Sequence, residues 1–123
     1  MTTIERIASD LPLPFSKAVK AGGFIYLSGQ IPLGSDGTPL RGTIEEQTEN
    51  VMARIAATLE ELGSGLEDVV RVTVWLSDLA LFARFNASYA AYIKAPHLPV
   101  RSTVAARLAF DVDVEVEVTA YHP

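Results

Sequence analysis

The sequence predicts an α+β protein in which one β-sheet carries two helices on a single face. Three segments predict this fold class. Thr43 to Leu62 places apolar residues at helical spacing. Val69 to Leu76 is β-branched and aromatic, and Asp113 to Tyr121 alternates strictly between polar and apolar residues, so both are predicted strands. Because each predicted helix connects two strands, both helices can cover the same face of a shared sheet.

Length and composition narrow the functional classes. The 123 residues match one domain, residues 1–123, and 49% hydrophobic content excludes a disordered chain. The absence of cysteine excludes disulfides, thiolate catalysis and cysteine-ligated metal clusters. Two histidines leave few ligands for a metal site. The net charge of −5 disfavours general nucleic-acid binding, because neutralising phosphates requires surplus Lys and Arg.

The sequence contains no predicted membrane segment. No stretch approaches the roughly 20 apolar residues of a membrane span. Met1 to Asp10 lacks the basic region and apolar core of a signal peptide. We therefore expect a cytoplasmic protein that does not contact a membrane.

The N-terminal third predicts a β-hairpin. The prolines of the segment from Asp10 to Pro14 favour an extended loop, because proline restricts both itself and the preceding residue. Lys17 to Lys20 is a predicted short strand, Gly22-Gly23 a turn, and Phe24 to Leu27 a buried strand.

The first predicted helix has clear start and stop signals. Thr43 and Glu46 have the spacing of a capping box, in which each side chain satisfies a free backbone N–H. Gly63 and Gly65 are expected to end the helix. The predicted apolar stripe consists of Val51, Ile55, Leu59 and Leu62.

A second helix and a third central strand are predicted in the C-terminal half. Asp78 is expected to cap a helix from about Leu79 to Ile93, and Val100 to Arg107 is expected to be a central strand. Aromatic residues at helical spacing, together with Trp75, are interpreted as core. The apolar face of this helix consists of Leu79, Phe82, Phe85, Tyr89 and Tyr92.

The sheet has more apolar surface than two helices can cover. Val69 to Leu76 is apolar on both strand parities, which is typical of a strand buried on both faces. The simplest cover for the second face is another copy of the chain, so we predict a homo-oligomer.

Arg101 is the first candidate functional residue. It lies in the otherwise apolar or small segment Leu98 to Ala105. Its planar guanidinium can bind a carboxylate through two parallel hydrogen bonds, and burying it unpaired would be costly. It can therefore bind an anionic ligand, or it can pair with a neighbouring carboxylate or point into water.

Glu115 and Glu117 are the next candidates. They share one strand face, opposite the valines between them. The plain interpretation is a solvated strand face. The functional interpretation is that a cleft at a subunit interface buries one of them, which would raise its pKa and make it a general acid or base.

Other polar positions are less specific. Ser28-Gly29-Gln30 follows a buried strand and can present backbone N–H groups, but it is not a phosphate-binding glycine motif. A Ser/His/Asp triad is unexpected, because His97 lies in a proline-flanked loop and His122 near the C-terminus. Asn86 can be an ordinary polar residue of a helix.

Four segments together resemble the RidA (YjgF) family over nearly the whole chain. They are Leu27 to Pro32, Asn86 to Tyr89, Pro99 to Ala105 and Val114 to Glu117. The resemblance implies a chorismate-mutase-like fold and a homotrimer with three clefts between subunits. It also implies hydrolysis of reactive enamines and imines, formed when pyridoxal-phosphate enzymes dehydrate Ser or Thr, to a 2-keto acid and ammonia. No cofactor or metal is implied.

The resemblance assigns roles to individual residues. Arg101 matches the family's carboxylate-binding arginine, and Glu115 matches the acidic residue that positions or activates water. Ser28 and Asn86 match polar positions lining the cleft, and Gly29 matches the backbone turn beside the ligand. Which of Glu115 and Glu117 faces the cleft is left open by strand parity.

Two positions depart from the family pattern. Phe15 stands where archetypal members carry Tyr, so a hydroxyl donor is missing and the mouth of the cleft is more apolar. Thr103 stands where they often carry Cys, and its backbone can still contact the ligand. The Phe15 departure leaves one alternative to a deaminase, a trimer that binds a small carboxylate without converting it. A weaker alternative is a ribonuclease, a label that the family sometimes carries, and the acidic balance disfavours it.

Overall fold

The computed structural model describes residues 3–123, and these form one six-stranded sheet with two helices packed against one of its faces. The strands are β1 (Glu5–Ile7), β2 (Ala18–Ala21), β3 (Phe24–Leu27), β4 (Val69–Leu76), β5 (Val100–Ala105) and β6 (Val114–Tyr121). The α-helices are α1 (Ile44–Glu61) and α2 (Phe82–Tyr89), and three short 3₁₀ turns span Leu66–Asp68, Leu79–Leu81 and Ala109–Asp111.

The sheet order is β1-β2-β3-β6-β4-β5. Only β4 and β5 run parallel among these neighbours, and α2 lies in the crossover between them. The expectation that β5 is a central strand is wrong: it ends at Ala105 and forms the edge of the sheet. A strand of Val, Ser, Thr and Ala suits either position, since sequence does not report how many neighbours a strand has.

The N-terminal hairpin is confirmed, with its first strand shifted by one residue. Gly22 and Gly23 both have positive φ, 59° and 86°, which a two-residue turn between twisted strands requires. The sequence analysis did not predict β1, whose three residues pair only with β2. A three-residue strand is too short to show an alternating pattern.

Helix α1 begins and ends as predicted. Thr43 Oγ1 accepts a hydrogen bond from the backbone N–H of Glu46, and Glu46 Oε1 accepts one from the N–H of Thr43, both at 3.1 Å. Gly63, with φ 82°, follows the last turn. The predicted stripe forms the core, because Val51, Ile55 and Leu59 are fully buried.

Helix α2 is shorter than the predicted Leu79–Ile93. Asp78 does cap its start, since Asp78 Oδ1 accepts from the N–H of Ala80 at 2.8 Å. A 3₁₀ turn comes first, and after Tyr89 the chain continues with mixed three- and four-residue bonds that reach Ile93. Such tightening is common at helix ends, where carbonyl groups lack regular partners.

The two faces of the sheet are different surfaces. The covered face packs against the helices, and its side chains in β4 and β6 are at most 4% exposed: Val69, Val72, Val74, Leu76, Val114, Val116, Val118 and Ala120. The other face, here called the open face, carries Phe24, Tyr26, Arg71, Thr73, Trp75, Val100, Ser102, Val104, Glu115, Glu117, Thr119 and Tyr121. Trp75 is therefore half-buried on the open face rather than in the core.

Candidate functional site

Arg101 lies at the edge of the covered face, beneath α2. Its partner in β4 is Val72, so both point to the helix side. Arg101 Nη2 donates to Asn86 Oδ1 at 2.6 Å. Its guanidinium carbon lies 4.9, 5.5 and 5.6 Å from the ring centroids of Tyr89, Phe85 and Phe82. Cation–π attraction and one hydrogen bond to the Asn86 amide oxygen therefore hold the guanidinium.

Arg101 has no carboxylate partner within residues 3–123. The alternative in which a neighbouring Asp or Glu neutralises it is therefore wrong for the described chain. The side chain is half-buried, so its remaining N–H groups are available to an anion.

Thr103 follows Arg101 by two residues and pairs with Val74, which places it on the same face. It is half-buried. Arg101, Asn86 and Thr103 thus form one group, here called the arginine group.

Glu115 lies on the opposite face. It pairs with Trp75 in β4, three positions from Val72, and the register between them is regular. An odd separation along a strand places two side chains on opposite faces, so Arg101 and Glu115 lie on different sides of the sheet.

Glu115 contacts the backbone at Gly29. A Cβ atom at Gly29 would lie 2.2 Å from Glu115 Oε2, so the absence of a side chain there makes room for the carboxylate. Burial raises the pKa of the Glu115 carboxyl, and the nearby charge of Glu117 raises this pKa further. Glu117 itself is exposed, so the structure distinguishes the two glutamates.

The segment beside Gly29 is held on both sides. Gln30 and Val116 exchange two backbone hydrogen bonds, at 2.8 and 3.0 Å. Ser28 Oγ donates to the carbonyl of Ser16 at 2.6 Å, next to Phe15, whose side chain is 51% exposed. Ser28, Gly29 and Glu115, with Phe15 nearby, form a second group, here called the glutamate group.

Two helix α1 residues that the sequence analysis missed also hold this segment. Arg54 Nη1 donates to the carbonyl of Ile31 at 2.7 Å. Asn50 exchanges two hydrogen bonds with the backbone of Leu33, at 2.9 and 2.8 Å. Polar residues on the buried side of an amphipathic helix were the available signal, because such residues require partners.

Two depressions of the described surface lie elsewhere. One, of about 470 Å³, borders the Gly22-Gly23 turn and His122. A smaller one, of about 130 Å³, lies between Tyr92 and His97. Neither includes a residue of the arginine or glutamate group. Within one chain, the two groups are separated by the sheet, because Arg101 and Glu115 lie on its opposite faces.

Within residues 3–123, no group of three or more acidic, histidine or cysteine side chains is placed to hold a metal. No helix of this part of the chain has the length and hydrophobicity needed to cross a bilayer.

Comparison with known proteins identifies the family. Residues 6–122 match the family model described as Endoribonuclease L-PSP. Among curated relatives, the mitochondrial protein MMF1 of Saccharomyces cerevisiae is 40% identical over 125 residues, covering 98% of this chain and 86% of the relative. A RutC family protein of Pyrococcus abyssi is 46% identical over 110 residues, covering 88% and 86%.

A solved structure of a similar protein has the same fold as this chain. The crystal structure of RidA from an Antarctic Psychrobacter superimposes with a TM-score of 0.87 at 34% identity, covering 95% of this chain and 98% of that one. The observed layers match the predicted α+β fold, and the match spans nearly the full sequence. The chain belongs to the RidA (YjgF) family, whose model is described as Endoribonuclease L-PSP.

Proposed function

We propose that this protein is a hydrolytic deaminase of 2-imino and 2-enamino acids, such as 2-aminoacrylate and 2-iminobutanoate, releasing a 2-keto acid and ammonia. The observation that carries the proposal is the Arg101 guanidinium, which is held by neutral groups and has no carboxylate partner among the described residues. A substrate carboxylate would supply the missing anion through two parallel hydrogen bonds.

The catalytic site is proposed to form between subunits of a homotrimer. Arg101 and Glu115 lie on opposite faces of one sheet, so one protomer cannot apply both to a small substrate. An isologous dimer through the open faces would bring each Glu115 to its own copy and leave Arg101 outside. In a closed ring, the β5 edge of one protomer meets the open face of the next, which joins unlike groups.

The proposed reaction needs one group that binds the substrate carboxylate and one group that accepts and returns a proton. Arg101 holds the substrate carboxylate, which fixes C2 of the imine next to a water molecule. The Glu115 carboxylate takes a proton as the water oxygen bonds to C2, and the C=N electron pair moves to nitrogen. Glu115 then returns the proton to nitrogen, which becomes an amino group. The hydroxyl proton of the intermediate passes through Glu115 to this amino group, the C–N bond breaks with its electron pair leaving on ammonia, and the keto group forms.

The groups around this centre support the same assignment. Asn86 orients Arg101, while Ser28 and Gly29 hold the backbone beside Glu115. Phe15 and Thr103 replace the family's usual Tyr and Cys, and the exposed ring of Phe15 favours an apolar substrate side chain. No cofactor is part of the proposal, because an imine is already an activated electrophile. We place the activity in the cytoplasm, although the relative MMF1 is named mitochondrial.

Mixed trimers test the shared site. A dehydratase generates the imine in the assay, and keto acid release is followed in the presence of this protein. Arg101→Ala and Glu115→Gln are each expected to lose activity. When the two variants are denatured and refolded together in equal amounts, about one quarter of the sites combine an intact arginine with an intact glutamate in a closed ring of three.

Recovery of about a quarter of wild-type activity supports the shared site, and no recovery despite verified mixed trimers contradicts it. Arg107→Ala is the matched control, because Arg107 forms only an exposed ion pair with Asp111.

Two other outcomes are distinguishable in the same preparations. A binding protein would bind pyruvate through Arg101 yet release no keto acid faster than the uncatalysed reaction. A ribonuclease, which the family description suggests, would cleave RNA. The net charge of −5 and the lack of a paired-histidine arrangement favour the deaminase over the ribonuclease.

A further inference from the structure

The aromatic rings of α2 that face Arg101 form a cradle that the family resemblance did not predict. It consists of Phe82, Phe85 and Tyr89, at positions i, i+3 and i+7 of one helix. We propose that Tyr89 is a positioning residue for substrate binding: its ring supports the Arg101 guanidinium and keeps the positive charge free of any anionic partner. This inference rests on the proposed role of Arg101 in holding a carboxylate.

The uncharged neighbours of Arg101 matter because a charged partner would compete with the substrate. A half-buried arginine is ordinarily stabilised by Asp or Glu, and such a partner would compete with the carboxylate of a substrate. Here the partners within residues 3–123 are ring faces and the Asn86 amide oxygen, none of which is charged. The guanidinium is held in place while its full charge remains for the ligand.

Tyr89 is the ring best placed for this role. Its centroid is the closest of the three to the guanidinium carbon, at 4.9 Å, and the residue is only 7% exposed. Phe85 packs against it with a centroid separation of 5.4 Å, which fixes the ring. Phe82 is 44% exposed and lies further from Arg101, so water can take part of its place.

The Tyr89 hydroxyl is neutral support as well. It is buried next to the Arg101 guanidinium and, within residues 3–123, forms no hydrogen bond of regular geometry. Burial raises the pKa of this hydroxyl, and the charge of Arg101 opposes the rise without cancelling it. The phenol therefore stays protonated at neutral pH and does not become an internal anion that would neutralise Arg101. The ring face is the part of the side chain that carries the proposed role.

The test compares Tyr89→Leu with Tyr89→Phe. Loss of the ring should raise both KM and the Kd for pyruvate, used as the carboxylate probe, by about 10-fold, whereas kcat changes little because ground state and transition state are held equally. Tyr89→Phe keeps the ring and should retain most of the affinity. Tyr92→Leu is the matched control, because Tyr92 bonds to Glu49 and does not support Arg101.

Two results overturn the inference: unchanged pyruvate affinity in Tyr89→Leu, or equal loss in the Phe and Leu variants. Melting curves and trimer mass verify folding. If Tyr89→Leu fails to fold, Phe82→Leu is used in its place. Because the Phe82 ring is partly exposed, this variant is expected to raise the Kd for pyruvate about threefold. An unchanged Kd would contradict the cradle. A wrong functional proposal would give a different result. The wild-type protein would then release no keto acid, while its binding of pyruvate would still depend on Arg101.

Discussion

The covered and open faces of the sheet differ in how deeply their side chains are buried. Along β4, Val72 and Val74 are at most 1% exposed on the covered face, while Thr73 and Trp75 between them remain half-buried on the open face. Burial of apolar area against two helices stabilises the fold within one chain. Within residues 3–123, the open face keeps tyrosine, valine and glutamate side chains exposed, whereas Trp75 and Glu115 are only half-buried there. Packing on the covered face therefore explains folding, and on our proposal the open face takes part in assembly and presents Glu115 to the Arg101 of another protomer.

The largest expected effect concerns the glutamate on the open face. Glu115→Gln should lower kcat by about 10²- to 10⁴-fold, because a proton carrier is lost while the shape of the side chain is kept. Glu117→Gln, on the same strand and face, should have little effect, since Glu117 is exposed. Steady-state kinetics of keto acid release measure both. Equal losses in the two variants would remove the distinction between the glutamates.

The pH dependence of activity tests whether Glu115 acts as a base. A base must be deprotonated, and burial raises the pKa of Glu115. Activity should therefore be complete above this raised pKa and fall as the pH drops through it, earlier than for an ordinary glutamate. Glu117→Gln removes a negative charge that also raises the pKa, so its acid limb should move to lower pH. An acid limb that does not move would contradict the coupling of the two carboxyls.

Substitutions on the two faces should separate folding from assembly. Ile55→Ala, in the fully buried core, should lower the free energy of unfolding by about 2–5 kcal/mol.

Val104→Asp places a charge on the open face, where valine is 43% exposed. It should convert the oligomer to folded monomers without activity, because an unpaired charge is costly to bury in an interface.

Light scattering after size-exclusion chromatography measures the mass, and circular dichroism measures folding. A Val104→Asp protein that is trimeric and fully active would show that this part of the open face is not an interface. Melting curves must be compared at equal protein concentration, since the stability of an oligomer depends on it.

A smaller effect is expected at Phe15. Its backbone neighbour Ser16 accepts the hydrogen bond of Ser28, so the Phe15 ring lies near the glutamate group. Phe15→Tyr supplies the hydroxyl that the family resemblance leads one to expect, and one hydrogen bond is worth about 1 kcal/mol. The ratio of kcat/KM for 2-aminoacrylate to that for a branched-chain imine should rise several-fold. Phe15→Leu, which adds no hydroxyl, is the control and should leave the ratio nearly unchanged.

The sequence predicted elements better than their arrangement. Local chemistry specifies the capping box at Thr43 and Glu46 and the bounds of β4, and both are confirmed. The edge position of β5 could not be predicted, because it depends on pairing between distant segments. Alternation also placed Glu115 and Glu117 on one face, but only the register of β5, β4 and β6 relates that face to Arg101.

The candidate site was predictable in kind but not in construction. The isolated arginine in an apolar strand made Arg101 a candidate, but it did not distinguish an anion-binding residue from one paired with a neighbouring carboxylate. Its aromatic cradle was visible only as a helical stripe, which was interpreted as core, and Phe82 in that stripe is 44% exposed. Helical spacing identifies residues that share a face, and it does not report whether that face meets aliphatic side chains or a guanidinium.

The smallest expected effect tests whether the two faces are separable at all. Thr43→Ala removes the side-chain cap of α1, which packs only on the covered face, and should lower the free energy of unfolding by about 1 kcal/mol. Thr43→Ser keeps the hydroxyl and should restore most of it. Because the cap touches neither the arginine nor the glutamate group, KM and kcat per folded trimer should equal those of the wild type at temperatures well below the melting transition. A changed KM in Thr43→Ala would mean that helix α1 transmits strain to the segment held by Arg54 and Asn50, and that the glutamate group on the open face depends on a helix of the covered face.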